Sequence, residues 1–537
     1  MLLKFVKPTI SEQFCLDILN SDIKYAKVLV NVLLSLGSDT KAQSPVQLTS
    51  GALFSYGYSS LNDAIKYLSD PDDTEGILNL DELCTYLSHL SMPYYEAMIG
   101  RENPPSRRIY HLQTDVKPLK KPHSPTLSGR KYVYAPNNKV PGNKPIIPGY
   151  NYSYVNLGYK PPTLRGGSRW SLPYSSHRLG VQEDALQIGS EQIATIMTDE
   201  KLPFKKADLV INAADLAYSH PRFIVPCAKF KNLINILRLR HGSGVWAPAQ
   251  KDPSKKERGA PRLYGDTFHL QTEREGTFYN PKTGLSEKVA QTPIFDRMAQ
   301  EHTSFETTTT RGKKITIELW RWNDLLLRSQ DGFVMKDKPF DLIAARVTVT
   351  LTGDKMFKND LFAGVFGEKR AEVSLFDAYI AYRQRFDIEV HNRFSNQQLL
   401  LDKFQTPNVE HLDNWVACVL LTYWLLFFAS DDVDNICNPW ERYLPKFKQQ
   451  NEPIKESDSE PQTPSPTNAT NNTKPKKSVA QTKKAASGFF STFDLKMFFP
   501  KVRNNGKGRT KGQKQTKRTR HPVRKKTPVD LNNRINV

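Results

Sequence analysis

The stretch Asp377–Pro407, DAYIAYRQRFDIEVHNRFSNQQLLLDKFQTP, holds no Pro or Gly before its last residue. An unbroken run of that composition predicts one long helix, which Pro407 closes. On a 3.6-residue period Tyr382, Arg385 and Glu389 follow at spacings of three and four and share one face. Phe386 and Val390 lie beside that stripe and are expected to pack the helix onto a core. A carboxylate flanked by an arginine and a tyrosine suits a metal ion or a phosphate. The same spacing also makes a solvated face on which Glu389 simply pairs with Arg385 or Arg393.

Working outward, the chain upstream reads as an α/β core. RIYHLQTD (Arg108–Asp115) alternates like a strand and ends on an acid, with a basic turn at Lys117–Lys121 after it. Lys131–Tyr134 and Tyr150–Leu157 supply two more strands between Gly/Pro/Asn turns. Asp184–Thr198 reads as an amphipathic helix despite Gly189, and Ala207–Asn212 as a short buried strand with Asp215 just beyond it. Three strands, a helix and a fourth strand place Asp115 and Asp215 at carboxyl ends of strands, where ligands gather on open α/β sheets. Each acid also has a structural use, Asp115 in an Asx turn and Asp215 as a helix N-cap. Ile234–Arg240 predicts a fifth strand, and Ile343–Thr352 resumes the core. Residues 1–100 look helical, from the apolar block Val28–Leu34, the capping-type Ser59–Ser60 and the periodic Leu80–Met98.

The spacing Tyr382-x2-Arg385-x3-Glu389 resembles the Tyr-Arg-Glu-Lys signature of bacterial DDE transposases. LLLDKFQTPNVEHLDNW (Leu399–Trp415), YVYAPNN, GNKPIIPGY and DLAYSHPRF also resemble an insertion-sequence family of that superfamily. The resemblance covers most of residues 10–440. It implies an α/β fold: a ribonuclease H-like mixed sheet core (residues 101–241 and 339–440) with a β-rich insertion (242–338). A helical N-terminal domain (1–100), able to read DNA ends, and a disordered linker with a basic tail (441–537) complete the expectation. The gap between Asp215 and Glu389 is too long for an uninterrupted core, so an insertion is needed.

The resemblance further implies that Asp115, Asp215 and Glu389 are the catalytic, metal-holding set. Mg2+, with Mn2+ as a substitute, takes hard carboxylate oxygens together with waters and substrate phosphate. Two such ions about 3.5–4 Å apart stabilise the attacking and leaving oxygens of an in-line displacement. Tyr382, Arg385 through its planar fork, and Lys144 are expected on DNA phosphates. Trp322 of LWRW is expected to stack a flipped base, although tryptophans alternating with Trp320 on a strand also read as packing. One position departs: the family lysine, seven residues after the glutamate, is Asn396 here, with Lys403 a candidate to replace it.

Composition bounds the rest. The 537 residues carry a formal net charge of +21. Most of it lies in Lys474–Val537, which has 19 Lys/Arg against the acids Asp494 and Asp530. Lys511, Lys514, Lys517, Arg518, Arg520, Arg524, Lys525 and Lys526 are therefore expected to form a DNA-binding arm. Gln449–Lys476 reads as a disordered linker, and Gly488–Pro500 as an apolar island able to dock. Five scattered cysteines without a CxxC pair suggest a reducing compartment. No signal-peptide pattern is visible, and Val416–Ala429 reads as a buried core helix too short to span a bilayer. The expected protein is cytoplasmic and nucleoid-associated in a bacterium, dimeric on element ends and target DNA, and away from membranes. The rival readings are a non-catalytic transposase derivative and a structural nucleic-acid protein acting through its tail.

Overall fold

The computed structural model describes residues 25–68, 84–92, 107–135, 145–158, 170–249, 264–430, 433, 477–490 and 518–524, with 52, 91, 271–273, 281–283 and 310 excepted. Helices α1 (Ala26–Ser38) and α2 (Tyr58–Tyr67) come first. Four strands follow: β1 (Ile109–Lys120), β2 (Lys131–Tyr134), β3 (Ile146–Gly158) and β4 (Ser171–Leu179). Next are α3 (Ala185–Thr198), β5 (Leu209–Ala214), α4 (Pro221–Cys227) and β6 (Leu233–Arg238). Then come β7 (Gly244–Pro248), β8 (Tyr264–His269), β9 (Arg274–Asn280), β10 (Leu285–Pro293), β11 (Glu301–Thr308), β12 (Lys314–Leu325), β13 (Phe340–Val349) and β14 (Leu361–Phe366). Helices α5 (Leu375–Gln384), α6 (Phe386–Gln397), α7 (Val409–Ala429) and α8 (Val479–Phe490) end the series.

Ten strands form one mixed sheet in the order β11-β12-β13-β14-β6-β5-β1-β3-β2, with β4 also on β3. β5 runs parallel to both β1 and β6, while β3 is antiparallel to β1, β2 and β4. The two faces follow the period-2 rule. Leu209, Ile211, Ile234 and Ile236 pack with α5 residues Ala378 to Tyr382. Val210, Leu233 and Leu237 join the larger core of α3, α1 and α7. Asp184 caps α3 by accepting the Leu186 N–H at 2.8 Å, and Asn408 caps α7 through Glu410 N–H at 2.8 Å. α7 is long and apolar enough to cross a bilayer, and 94% of its apolar window is buried inside the protein. It runs from Val409, longer than the sequence suggested, and α1 packs against it through residues buried almost all round. Both α1 and α2 contribute buried side chains to this core.

Several expectations change. The Asp377–Pro407 helix is two helices broken at Arg385. The Gln113 side-chain amide donates to the Gln384 carbonyl at 3.0 Å, so the Ile388 N–H turns to Arg385 O at 3.2 Å. A side chain inserted into the ladder shortens it locally and kinks the helix. Past the break the inward residues are Ile388, His391, Phe394 and Ser395, whereas Phe386 is 52% exposed. α6 stops at Gln397, and Leu400 takes a left-handed turn at φ 57°. β1 continues through the expected basic turn to Lys120. β4 was hidden by Pro173, which sits at a register shift opposite Val155/Asn156.

Residues 242–338 do not stand apart as a whole. β7–β10 make a separate four-stranded sheet, but β11 and β12 extend the main sheet through β13. The C-terminal region is also partly built in. α8 docks beside α1 and α7, with the Trp170 indole N–H donating to Lys477 O at 2.9 Å. Residues 518–524 lie along the β1–β2 connection, where His521 N–H donates to Pro125 O at 2.9 Å and Arg524 N–H to Arg130 O at 2.8 Å. The linker 449–476 and residues 491–500 of the apolar island fall outside the described residues.

Candidate active site

β1 turns Gln113, Asp115 and Lys117 toward the helices, since alternate residues of a strand share a face. In the parallel register with β5, Thr114 stands opposite Ala214. Asp115 and Asp215 are each the next residue on, so the two acids leave neighbouring strands together. Asp115 lies mid-strand, opposite Tyr154 of β3, and is not in a turn. Asp215 opens the short turn Leu216–Tyr218, but its carboxylate makes no capping bond. Beneath them Thr114 Oγ1 donates to Asn212 Oδ1 and Asn212 Nδ2 to Asn235 Oδ1, both at 2.8 Å. This buried ladder locks the three strands at the level of the acids. Gly189 of α3 sits where an added Cβ would be 3.0 Å from the Tyr218 ring, which explains a glycine inside that helix.

The break after Gln384 brings Arg385 over the same place. Its Nη2 donates to Glu389 Oε1 at 2.8 Å, so the plain ion-pair reading of Glu389 is realised, with Glu389 half-exposed. Arg385 itself is buried, and its Nε has no partner. Its guanidinium lies 5.9 Å from the Tyr382 ring centroid and 5.1 Å from that of Phe386. Burial pushes the Asp115 carboxyl up to about 6; Arg385 opposes this, and the charges of Asp215 and Glu389 add to it. Burial also works against the Arg385 charge, but Tyr382, Asp215, Glu389 and Asp115 outweigh it and raise its affinity for the proton. Asp215 and Glu389 therefore both act on Asp115, and all three carboxylates act on one arginine.

Two further residues belong here that the sequence did not single out. Asn392 Nδ2 reaches Asp115 Oδ2 at 3.4 Å, and Asn392 Oδ1 is buried without a partner. Lys117 Nζ donates to the Asn392 carbonyl at 3.0 Å. Burial pushes the Lys117 ammonium down to about 7, while Asp402 and Asp115 hold it up. Their signals were positional: Lys117 is two residues from Asp115 on one strand, and Asn392 three from Glu389 on one helix.

No protein-family model matches the chain, and no curated protein matches it either.

The other expected positions divide. Tyr382 is buried beside Arg385. Trp322 is 1% exposed and donates its indole N–H to Arg297 O at 2.9 Å, so it packs the sheet and offers no face to a base. The more accessible Trp320 stacks on His302 with centroids 5.0 Å apart. Asn396 is half-buried with Oδ1 unpartnered, and Lys403 pairs with Asp402 at 3.6 Å. Arg518, Arg520 and Arg524 are exposed. Lys144, Lys511, Lys514, Lys517, Lys525 and Lys526 lie outside the described residues.

Among the described residues no three His, Cys, Asp or Glu side chains are drawn together closely enough to cage an ion. Mg2+ asks for less, because it is commonly held by one or two carboxylates, substrate phosphate and waters. The all-oxygen donor set of Asp115, Asp215 and Glu389 suits it, and burial raises the hold of Asp115 on a proton, an effect that a neighbouring cation opposes.

Proposed function

We propose that this chain is a DDE-type transposase that binds the terminal inverted repeats of its own element and cuts and joins DNA there with Mg2+, or with Mn2+ in its place. The observation that carries the reading is the convergence of Asp215 and Glu389 on buried Asp115, with all three acting on Arg385. A buried carboxyl with a raised proton affinity, Asp115, beside the charges of Asp215 and Glu389 favours a functional site over a solvated face. The strand order β4-β3-β1-β5-β6, antiparallel on one side of β1 and parallel on the other, supports the ribonuclease H-like reading.

In this reading Asp115, Asp215 and Glu389 hold the metal. Bound Mg2+ supplies Lewis-acid stabilisation of the oxygens that gain charge as a phosphodiester bond breaks. Arg385 swings its fork from Glu389 to a DNA phosphate, and Tyr382 backs its guanidinium plane. Lys117 fixes the Asn392 turn of α6 and so the distance between Asp115 and Glu389. The basic segment Arg518–Arg524 contributes sequence-independent attraction to the duplex. A homodimer on paired ends in the bacterial cytoplasm is the assembly and compartment that go with this function.

Purified protein is to be incubated with duplexes taken from the DNA that flanks its coding sequence. Mg2+-dependent cutting at an inverted repeat, abolished by EDTA, is the expected result. A specific but uncut complex in Mg2+ and in Mn2+ would replace this reading with the non-catalytic derivative, which Asn396 in place of a cation favours.

A further inference from the structure

The C-terminal helix α8 reaches the candidate catalytic helix. Val479, Ala485 and Ala486 are buried against the α1–α7 core. Lys483, also buried, donates its ammonium to the Gln398 carbonyl just past the end of α6. Burial pushes the Lys483 ammonium down to about 8, and Asp39 at the end of α1 partly restores it. Lys483 therefore positions α8.

Between α6 and α8 lies a cavity of about 500 Å³, lined by Arg393, Phe394, Gln397, Gln398, Lys483 and Lys484 among others, with no carboxylate lining it among the described residues. Glu389, Arg393 and Gln397 follow one another at four-residue spacing, so they form one stripe along α6. Arg393 and Gln397 are exposed. The stripe thus runs from the candidate metal-holding carboxylate straight into a cationic groove. At ~1.5 Å rise per residue Arg393 stands about 6 Å along the axis from Glu389.

We propose that the α6–α8 groove takes the sugar–phosphate backbone of duplex DNA flanking the cleavage point, with Arg393 and Lys484 on phosphates and the Gln397 and Gln398 amides donating beside them. The proposal rests on the transposase reading and deepens it. The C-terminal region then has a folded share in DNA binding, distinct from its basic tail. These interactions are with the backbone, so they position the duplex without reading its sequence.

The test is fluorescence anisotropy of the full chain with a flanking-sequence duplex and with a scrambled duplex, across a salt series. Arg393→Ala/Lys484→Ala is compared with wild type and with Arg393→Lys/Lys484→Arg, and thermal melting shows that each variant folds. The expected result is a slope of log K against log salt flatter by about two phosphates, ~0.9 each. The loss is equal on both duplexes and is restored in the conservative variant. Wild-type binding with an unchanged slope in the alanine variant overturns the groove and leaves the transposase reading standing. Failure of the wild type to bind either duplex overturns that reading, and the groove falls with it.

Discussion

The ion pairs around Arg321 and those around Arg385 are built in opposite ways. Arg321 and Asp341 are both buried, and Arg321 Nη2 and Nε meet Asp341 Oδ2 at 2.5 and 3.1 Å. The remaining donors go to Val373 O and Arg370 O at 2.8 and 2.9 Å. Asp341 Oδ1 takes Arg370 Nε at 3.0 Å and Asp324 N–H at 3.2 Å, and Arg370 also meets Asp324. Donors and acceptors are matched, and the cluster pins β12 and β13 to the turn that precedes α5. Around Arg385 one guanidinium serves three carboxylates, its Nε and Asn392 Oδ1 are buried without partners, and Asp115 is shifted toward neutrality. Buried polar groups in native structures are nearly always satisfied. The Arg321 cluster is satisfied within the protein, whereas the Arg385 cluster leaves donors and acceptors open.

The contrast can be broken by mutation. Asp341→Ala strands two arginines at a buried site, and losing one partner of a buried pair costs about 3–5 kcal/mol. Chemical denaturation should show that loss at every pH from 6 to 9. Asp115→Asn should do the reverse. A carboxyl raised from an ordinary 3.8 to about 6 binds its proton more tightly when folded. Its penalty is absent below pH about 4, grows as pH rises, and is complete above about 6. The variant should therefore be more stable than wild type at pH 8, by up to ~3 kcal/mol, and no more stable at pH 3.5. Equal effects at both pH values would show that Asp115 is not a desolvated acid.

Smaller effects sharpen the comparison. α8 is part of the core, so a truncation that probes the arm must begin after Phe490. Removing 491–537 should lower DNA affinity about tenfold at moderate salt and flatten the salt slope by ~0.9 for each phosphate that the arm neutralises. An unchanged slope would mean that the arm does not touch DNA. Asn396→Lys puts a cation two turns from Glu389 on nearly the same face. A charge-assisted bond exceeds a neutral one by on the order of 1 kcal/mol, so cleavage should rise several-fold. No change in rate would mean that position 396 faces the protein.

What the sequence made legible was local. The Tyr382, Arg385 and Glu389 spacing needs only the helical period, and β1, β3, β5 and α3 announced themselves by alternation or capping. The break at Arg385 was invisible because Gln113, whose amide meets the Gln384 carbonyl there, lies 271 positions from Gln384. Phe386 was assigned inward for the same reason, since its phase follows the unbroken helix. Pro173 disguised β4 because it occupies a bulge. Lys117 and Asn392 carry no motif; they matter only once β1 and α6 lie together. Trp322 looked like a stacking platform until its indole proved to be bonded inside the sheet.

The most direct test is single-turnover cleavage of an end duplex in Mg2+, run for Asp215→Asn, Glu389→Gln and Asp341→Asn beside wild type, with DNA affinity measured in parallel. The account predicts that the first two bind DNA with near wild-type affinity and cut at background rates, while whatever fraction of Asp341→Asn remains folded cuts at the wild-type rate. Cleavage surviving in Asp215→Asn or Glu389→Gln would contradict it, because the unbalanced cluster around Arg385 would then not be the site of chemistry.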